Sequence, residues 1–380
     1  MYITEIFLKN YRNFDELSLN LEVAINIFLG KNAQGKTNIL ESINFSSLGK
    51  SRAAKDFELV RRGENFAWIK IIFFKADISH ELKIEISAER KIKRRKVFLD
   101  GNEIKFREIV GKLNSVLFSP EDLFMFKNSP AIRRKFLDSE ISQASPIYFA
   151  NLVTYNRLVE QRNNLLKQIR EGISSPQNLD LWTEQLSNAA AKITVKRLES
   201  VEKLSELANA AQKKISSDAE NLSIQYEFHG LQDLNPAEVE KICRDENKLA
   251  DWYHKTLNAR KFSDIKRGAT SLGAHLDDLK FFVNDAELKI YGSQGQLRTA
   301  ALALKLAELR FLKFETGEYP ILLLDDVMSE LDAFRREQLL NFLEQEKIQT
   351  LITATEKAYF PEKNFGKIFY VKSGQIVDSL

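Results

Sequence analysis

Gly30-Lys31-Asn32-Ala33-Gln34-Gly35-Lys36-Thr37 decides the fold. It fits the pattern G-x-x-x-x-G-K-[ST], which a chain of this length and composition meets by chance on the order of once in a hundred. An apolar run, Asn26-Ile27-Phe28-Leu29, leads in, and a helical stretch from about Thr37 to Ser47 leads out. That context suits a loop whose backbone N–H groups converge on phosphate oxygens at a helix N-terminus. Gly30 to Thr37 are therefore the nucleotide-binding candidates. Lys36 is expected to reach the β- and γ-phosphates, and the Thr37 hydroxyl to ligate Mg²⁺. Taken alone, the stretch could also be a glycine-rich turn with a surface lysine.

A second run supports the first. Ile321-Leu322-Leu323-Leu324 ends in Asp325-Asp326. A carboxylate at the end of a buried strand is expected beside the phosphate loop, where Asp325 holds Mg²⁺ and Asp326 polarises the attacking water. Strand and helix signals alternate around this pair: a helix from Leu297 to about Phe314, another over Ala333–Gln345, and a strand over Thr350–Ala354. Unbroken apolar strands between helices predict a buried, largely parallel sheet.

The N-terminal region reads as strands. Leu17, Leu19 and Leu21 alternate, and residues 68–88 carry more β pattern. Lys91–Leu99 and Asn102–Phe106 flank Asp100-Gly101, a hairpin signal. The character changes near residue 116. Residues 121–212 read as helical, broken near Pro130 and Ser174-Ser175-Pro176, with Leu186, Ala190, Ile193, Val201, Leu204 and Ala208 at helical spacing. The expected division is an ATPase lobe of residues 1–115 and 265–380, with a helical lobe of 116–264 inserted.

Composition sets outer bounds. Charged residues make up 29% of the chain and hydrophobic ones 44%, as in a globular protein. The balance of 56 Lys+Arg against 53 Asp+Glu leaves +3, so any nucleic-acid surface must be local. One cysteine, Cys243, excludes an internal disulfide and a multi-cysteine metal cluster. No run of ~18 apolar residues suggests a membrane span. The start, MYITEIFLKNYRNF, lacks a signal-peptide layout, which makes the cytoplasm the expected location. The densest basic run is Arg90 to Lys96, with Arg94, Arg95 and Lys96 as candidate DNA contacts. A charged edge strand that resists aggregation reads equally well there. Arg61-Arg62 and Arg133-Arg134-Lys135 are second candidates. His80, His229, His254 and His275 show no metal spacing.

Tyr291-Gly292-Ser293-Gln294-Gly295-Gln296, before an alanine- and leucine-rich helix, resembles the LSGGQ-type signature of ABC ATPases. Ser329-Glu330-Leu331-Asp332 resembles their D-loop. The whole chain resembles the RecF family. Leu8-Lys9-Asn10-Tyr11-Arg12-Asn13-Phe14 looks like its opening motif, and Phe118–Leu123 with Pro130, Arg133-Arg134 and Phe136-Leu137-Asp138 like its middle signature. Tyr155, Gln161-Arg162-Asn163, Leu165-Leu166-Lys167, Gly273, His275 and Asp277-Asp278 continue it. The resemblance implies an α/β ABC-type ATPase head, split in sequence and related to SMC heads. It implies two head-to-tail copies glued by ATP and Mg²⁺, with Ser293, Gln294, Gly295 and Gln296 reaching the partner copy's γ-phosphate. It also implies binding of gapped or duplex DNA, work with RecR and RecO to load RecA in recombinational repair, and a weak DNA-dependent ATPase that resets the dimer.

The chain departs from the pattern in places. Ala274 and Leu276 stand where the family often has Pro and Arg. Asp326 replaces the Glu of ABC transporters, which implies slow hydrolysis. Thr353-Ala354-Thr355 occupies the place of their histidine, so a threonine hydroxyl is the available donor. A small SMC-like ATPase, a P-loop small-molecule kinase and a non-hydrolysing DNA scaffold are the competing classes. A kinase would carry no signature, and the intact Lys36, Thr37 and Asp325 speak against a scaffold.

Overall fold

The computed structural model describes residues 1–49, 55–89, 95–230, 242–361 and 365–379. Two compact units form: Met1–Phe124 with Lys214–Asp218 and Leu297–Leu380, and Met125–Lys213 with Ala219–Gln296. The expected lobe boundaries at residues 115 and 265 differ from these. The change of character near residue 116 marks a strand of the first unit, and residues 265–296 pair within the second.

In the first unit, β1 (Tyr2–Tyr11), β2 (Phe14–Asn20), β3 (Ile25–Leu29) and α1 (Lys36–Leu48) are followed by β4 (Phe66–Lys75), β5 (Ile78–Ser87), β6 (Arg95–Leu99), β7 (Asn102–Ile104) and β8 (Ser115–Phe118). The second unit contributes α2 (Pro130–Ala144), α3 (Pro146–Arg170), α4 (Leu179–Ile215), β9 (Leu222–Glu227), α5 (Glu246–Ala259), α6 (Lys261–Arg267), β10 (Asp278–Val283), β11 (Ala286–Glu287) and α7 (Leu288–Tyr291). Then come α8 (Gln294–Thr316), β12 (Ile321–Asp325), α9 (Ala333–Glu346), β13 (Thr350–Ala354), β14 (Lys367–Lys372) and β15 (Gln375–Val377).

The first unit holds two six-stranded sheets. One is antiparallel in the order β2-β1-β4-β5-β6-β7. Its alternation is strict: Ala67, Ile69, Ile71 and Phe73 of β4 are buried, as are Leu82, Ile84 and Ile86 of β5. The other runs β15-β14-β3-β13-β12-β8 and is parallel except for the edge strand β15. Every residue of β3 and β13 is buried, as a parallel sheet covered on both faces requires. Gln349 stitches β1 to this sheet. Its amide accepts from Ile3 N at 2.6 Å and donates to the carbonyls of Ile3 and Glu22 at 2.7 and 2.8 Å.

The second unit is mainly helical but contains the antiparallel sheet β11-β10-β9. Pro130 and Pro146 sit at helix starts, where a missing N–H costs nothing. Buried ion pairs hold the unit together. Arg162 reaches Asp264 and Thr270 at 2.8 and 2.9 Å. Arg197 grips both carboxylate oxygens of Asp138 at 2.9 Å. Arg133 does the same to Asp278 at 2.8 and 2.7 Å. Much of the middle signature is thus the polar core of this unit. No described helix is long and apolar enough to cross a membrane.

Candidate nucleotide-binding site

β3 delivers Gly30 to the C-terminal end of the parallel sheet, where a Cβ would lie 2.4 Å from the Val371 carbonyl oxygen of β14. Only glycine allows that approach. The loop then takes two left-handed residues, Ala33 (φ 63°) and Gly35 (φ 109°), before α1 begins at Lys36. No acidic residue occupies the first turn of α1, so its positive N-terminal end is unneutralised. A Cβ at Gly35 would meet Asn13 Nδ2 at 2.4 Å.

Lys36 folds back over the loop. Its Nζ donates to the carbonyls of Gly30 at 2.6 Å and Lys31 at 2.8 Å. Burial lowers its pKa, while Asp326 and Asp325 oppose that shift. Strand register brings the acidic pair alongside, because β12 lies next to β13 with Asp325 opposite Thr353. Thr37 Oγ1 and Thr353 Oγ1 each donate to Asp325 Oδ1 at 2.8 Å. The Thr353 hydroxyl also accepts from Asp326 N at 2.9 Å. Thr353 is fully buried, so it clamps the acidic pair rather than standing free where the transporter histidine would be.

Asp326 adopts φ 53°, ψ 23°. Its Oδ1 is buried with no hydrogen-bond partner in the protein. Burial raises its carboxyl pKa; Lys36 opposes this, and Asp325 and Glu330 add to it. A hydroxyl, a carboxylate and a second, unsatisfied carboxylate are hard oxygen donors of the kind Mg²⁺ prefers. The donor set therefore fits Mg²⁺. Among the described residues no group of three or more His, Cys, Asp or Glu forms a separate metal cluster.

Two contacts at this site were not expected from sequence. Asn13 donates to Gln34 O at 3.1 Å and accepts from Asn38 Nδ2 at 2.7 Å, so the β1–β2 turn braces the phosphate loop. Arg12 beside it is fixed to Glu41 of α1 by two bonds of 2.9 Å. The opening motif signalled these residues but not their contacts.

The segment Ser293–Gln296 belongs to the second unit. Gln296 N donates to Ser293 Oγ at 3.2 Å, and Ser293 N to Gln296 Oε1 at 3.1 Å. This is a reciprocal capping box at the start of α8. Ser293, Gln294 and Gly295 are exposed, and nothing lies nearer than 4.0 Å to a Cβ at Gly295.

The basic candidates fare differently. Arg95 is turned inward. It pairs with Asp56, donates to Gly49 O at 2.6 Å, and lies over the rings of Phe106 and Phe45 at 4.0 and 4.9 Å. That corrects its assignment as a DNA contact, since a guanidinium so engaged cannot also lie on a phosphate backbone. Arg94 falls outside the described residues. Lys96 is exposed on β6. Arg133 is buried against Asp278, Arg134 donates to Asp277 O at 2.7 Å, and Arg61 pairs with Asp15 at 2.8 Å. His275 bonds Tyr155 Oη at 2.6 Å, and burial pushes its pKa down to about 4, a neutral structural residue at pH 7.

A family model described as the RecF/RecN/SMC N-terminal domain matches residues 2–376. The DNA replication and repair protein RecF of Halothermothrix orenii is 42% identical over 380 residues, 99% of this chain and 98% of its own length. A solved structure of the recombination mediator protein RecF with ATP, from the RecFOR pathway, matches with a TM-score of 0.87 at 35% identity, covering 99% of this chain and 98% of that one. A solved Smc head bound to the C-winged helix domain of ScpA shares the fold at a TM-score of 0.56 and 15% identity, covering 99% and 97%. With similarity running the length of the chain and an ABC-type head in the fold, the protein belongs to the RecF family of DNA replication and repair proteins.

Proposed function

We propose that this protein is an ATP-driven DNA-binding factor of recombinational repair, which pairs head to tail on ATP and separates after slow hydrolysis. The convergence of Lys36, Thr37, Asp325 and Asp326 at the end of the parallel sheet carries the reading. Lys36 exchanges two backbone carbonyls for β- and γ-phosphate oxygens, and the amides of the loop and the α1 terminus hold the rest of the charge. Thr37 and Asp325 would hold Mg²⁺, which supplies neutralisation of the charge developing on the phosphates when bound. Asp326 orients the attacking water and takes its proton, and the Thr353 clamp keeps that carboxylate in place. The exposed Ser293–Gln296 loop is suited to a second copy's γ-phosphate, because the α8 N-terminus behind it carries no acidic residue in its first turn.

The DNA partner, gapped or duplex, rests on the names and titles of the relatives, as do RecR and RecO as co-workers and RecA as the protein loaded. Lys96 remains the DNA contact supported by exposure. The test is an ATP titration of Lys36→Ala against the parent. Affinity should fall by more than about tenfold, as a charge-assisted contact contributes ~1.5–3 kcal/mol. Equal affinity with an unchanged unfolding midpoint would overturn the nucleotide assignment.

A further inference from the structure

Gln34, inside the phosphate loop, is held by a turn from the far end of the chain. Ser373 and Gly374 join β14 to β15, with Lys372 opposite Gln375. Their φ angles are 51° and 76°, both left-handed, as a two-residue hairpin turn requires. The turn spends its outward N–H groups on Gln34. Ser373 N donates to Gln34 Oε1 at 2.6 Å, and Gly374 N donates to Gln34 O at 3.1 Å. Asn13 donates to the same Gln34 carbonyl, and Gln34 Nε2 donates to Asn32 O at 3.3 Å. One residue of the loop thus receives three bonds from two turns that neither bind phosphate nor belong to the motif. The neighbouring Ala33 is left-handed, so the loop's curvature is set just where these bonds pull.

We propose that the Ser373-Gly374 turn is a positioning element for the nucleotide: it fixes the curve of Asn32–Gln34 so that the loop amides are aimed before ATP arrives. This rests on the nucleotide reading above. A flexible loop would have to order itself on binding and lose affinity accordingly. Once ATP is bound the loop is ordered in either case, so the turn should govern affinity far more than turnover.

The fold supplies its own control. Asp100-Gly101 joins β6 to β7 with φ angles of 50° and 79°, nearly the same turn. A Cβ at Gly101 meets nothing within 4 Å, whereas one at Gly374 meets Asn13 O at 2.8 Å and Asn13 Nδ2 at 3.1 Å. Gly374→Ala and Gly101→Ala therefore share the backbone strain, and only the former disturbs the brace. The experiment measures ATP affinity, kcat at saturating ATP and the unfolding midpoint of both variants in the full chain. We expect both midpoints to fall, while the ATP Kd rises roughly 5–30-fold in Gly374→Ala alone. Its kcat should stay within about twofold of the parent. Ser373→Ala should change nothing, because the donor is the backbone N–H. Combining Gly374→Ala with Gln34→Ala should give less than the sum of the two effects, since both act through the same bonds. If Gly374→Ala does not fold, Gly374→Asn replaces it, as Asn tolerates the left-handed region better. Unchanged ATP affinity in the Gly374 variant, equal losses in both glycine variants, or strict additivity with Gln34→Ala would overturn the proposal. A parent chain that binds no ATP would instead overturn the nucleotide reading itself.

Discussion

Asp326 sits in a backbone conformation that most side chains avoid but that Asp and Asn tolerate. That makes Asp326→Asn a clean test, because it removes charge and leaves both the φ angle and the clamp from Thr353 to its backbone N–H. ATP binding should persist, while phosphate release slows by roughly 10²–10⁴-fold, the range for loss of one general base. Near-normal turnover would reject Asp326 as the catalytic carboxylate. The pH dependence follows from burial. A base must be ionised, and Asp326 is held protonated to higher pH than an ordinary carboxyl. Turnover should therefore fall with acidification, with a midpoint above the usual aspartate range, and that limb should vanish in Asp326→Asn. The acidic pair and the phosphate loop were legible because each is a local motif. Thr353 as their clamp was not, since only the register of β12 on β13 brings it to Asp325.

Arg95 shows what a single element hides. In sequence it is one cation in a basic run; in the fold, strand alternation turns it onto Phe45, Phe106 and Asp56, while Lys96 beside it faces water. Arg95→Ala should lower stability by roughly 2–3 kcal/mol, because it strands a partly buried Asp56, and should leave the salt dependence of DNA binding unchanged. Lys96→Ala should do the reverse, with stability held and the slope of log K against log salt reduced by ~0.9. An unchanged slope in Lys96→Ala would move the DNA surface elsewhere. Elements with an unbroken signature, such as the apolar run ending at Asp325 and the turn at Asp100-Gly101, could be read directly. β9 and the hairpin of β14 and β15 could not. β9 is short and mixed, and its strand character comes from pairing with β10. β14 mixes lysines with apolar residues because it lies at the margin of the sheet, with only β15 beyond it.

At the scale of the whole molecule, the claim is that two copies share each nucleotide. Ser293→Asp tests it, since Asp is as good a helix N-cap as Ser, so the capping box at α8 survives while a negative charge is set against the partner's phosphate. Monomers of this variant should bind ATP as the parent does, yet show no ATP-dependent doubling of mass by light scattering and no hydrolysis. A normal ATP-dependent dimer would leave the loop as a helix cap only. The order of the parallel sheet carries a last consequence. β3, which bears the phosphate loop, is flanked by β13 and β14, with Ile25 opposite Thr350 and Asn26 opposite Lys367. A ribosome thus makes the loop near the start of its work and the strands that seat it near the finish. Contacts so far apart in sequence close slowly. The emerging chain carries the whole phosphate motif through most of translation on a bare apolar strand, in need of shelter from other chains and unable to grip a nucleotide until both neighbours have been synthesised.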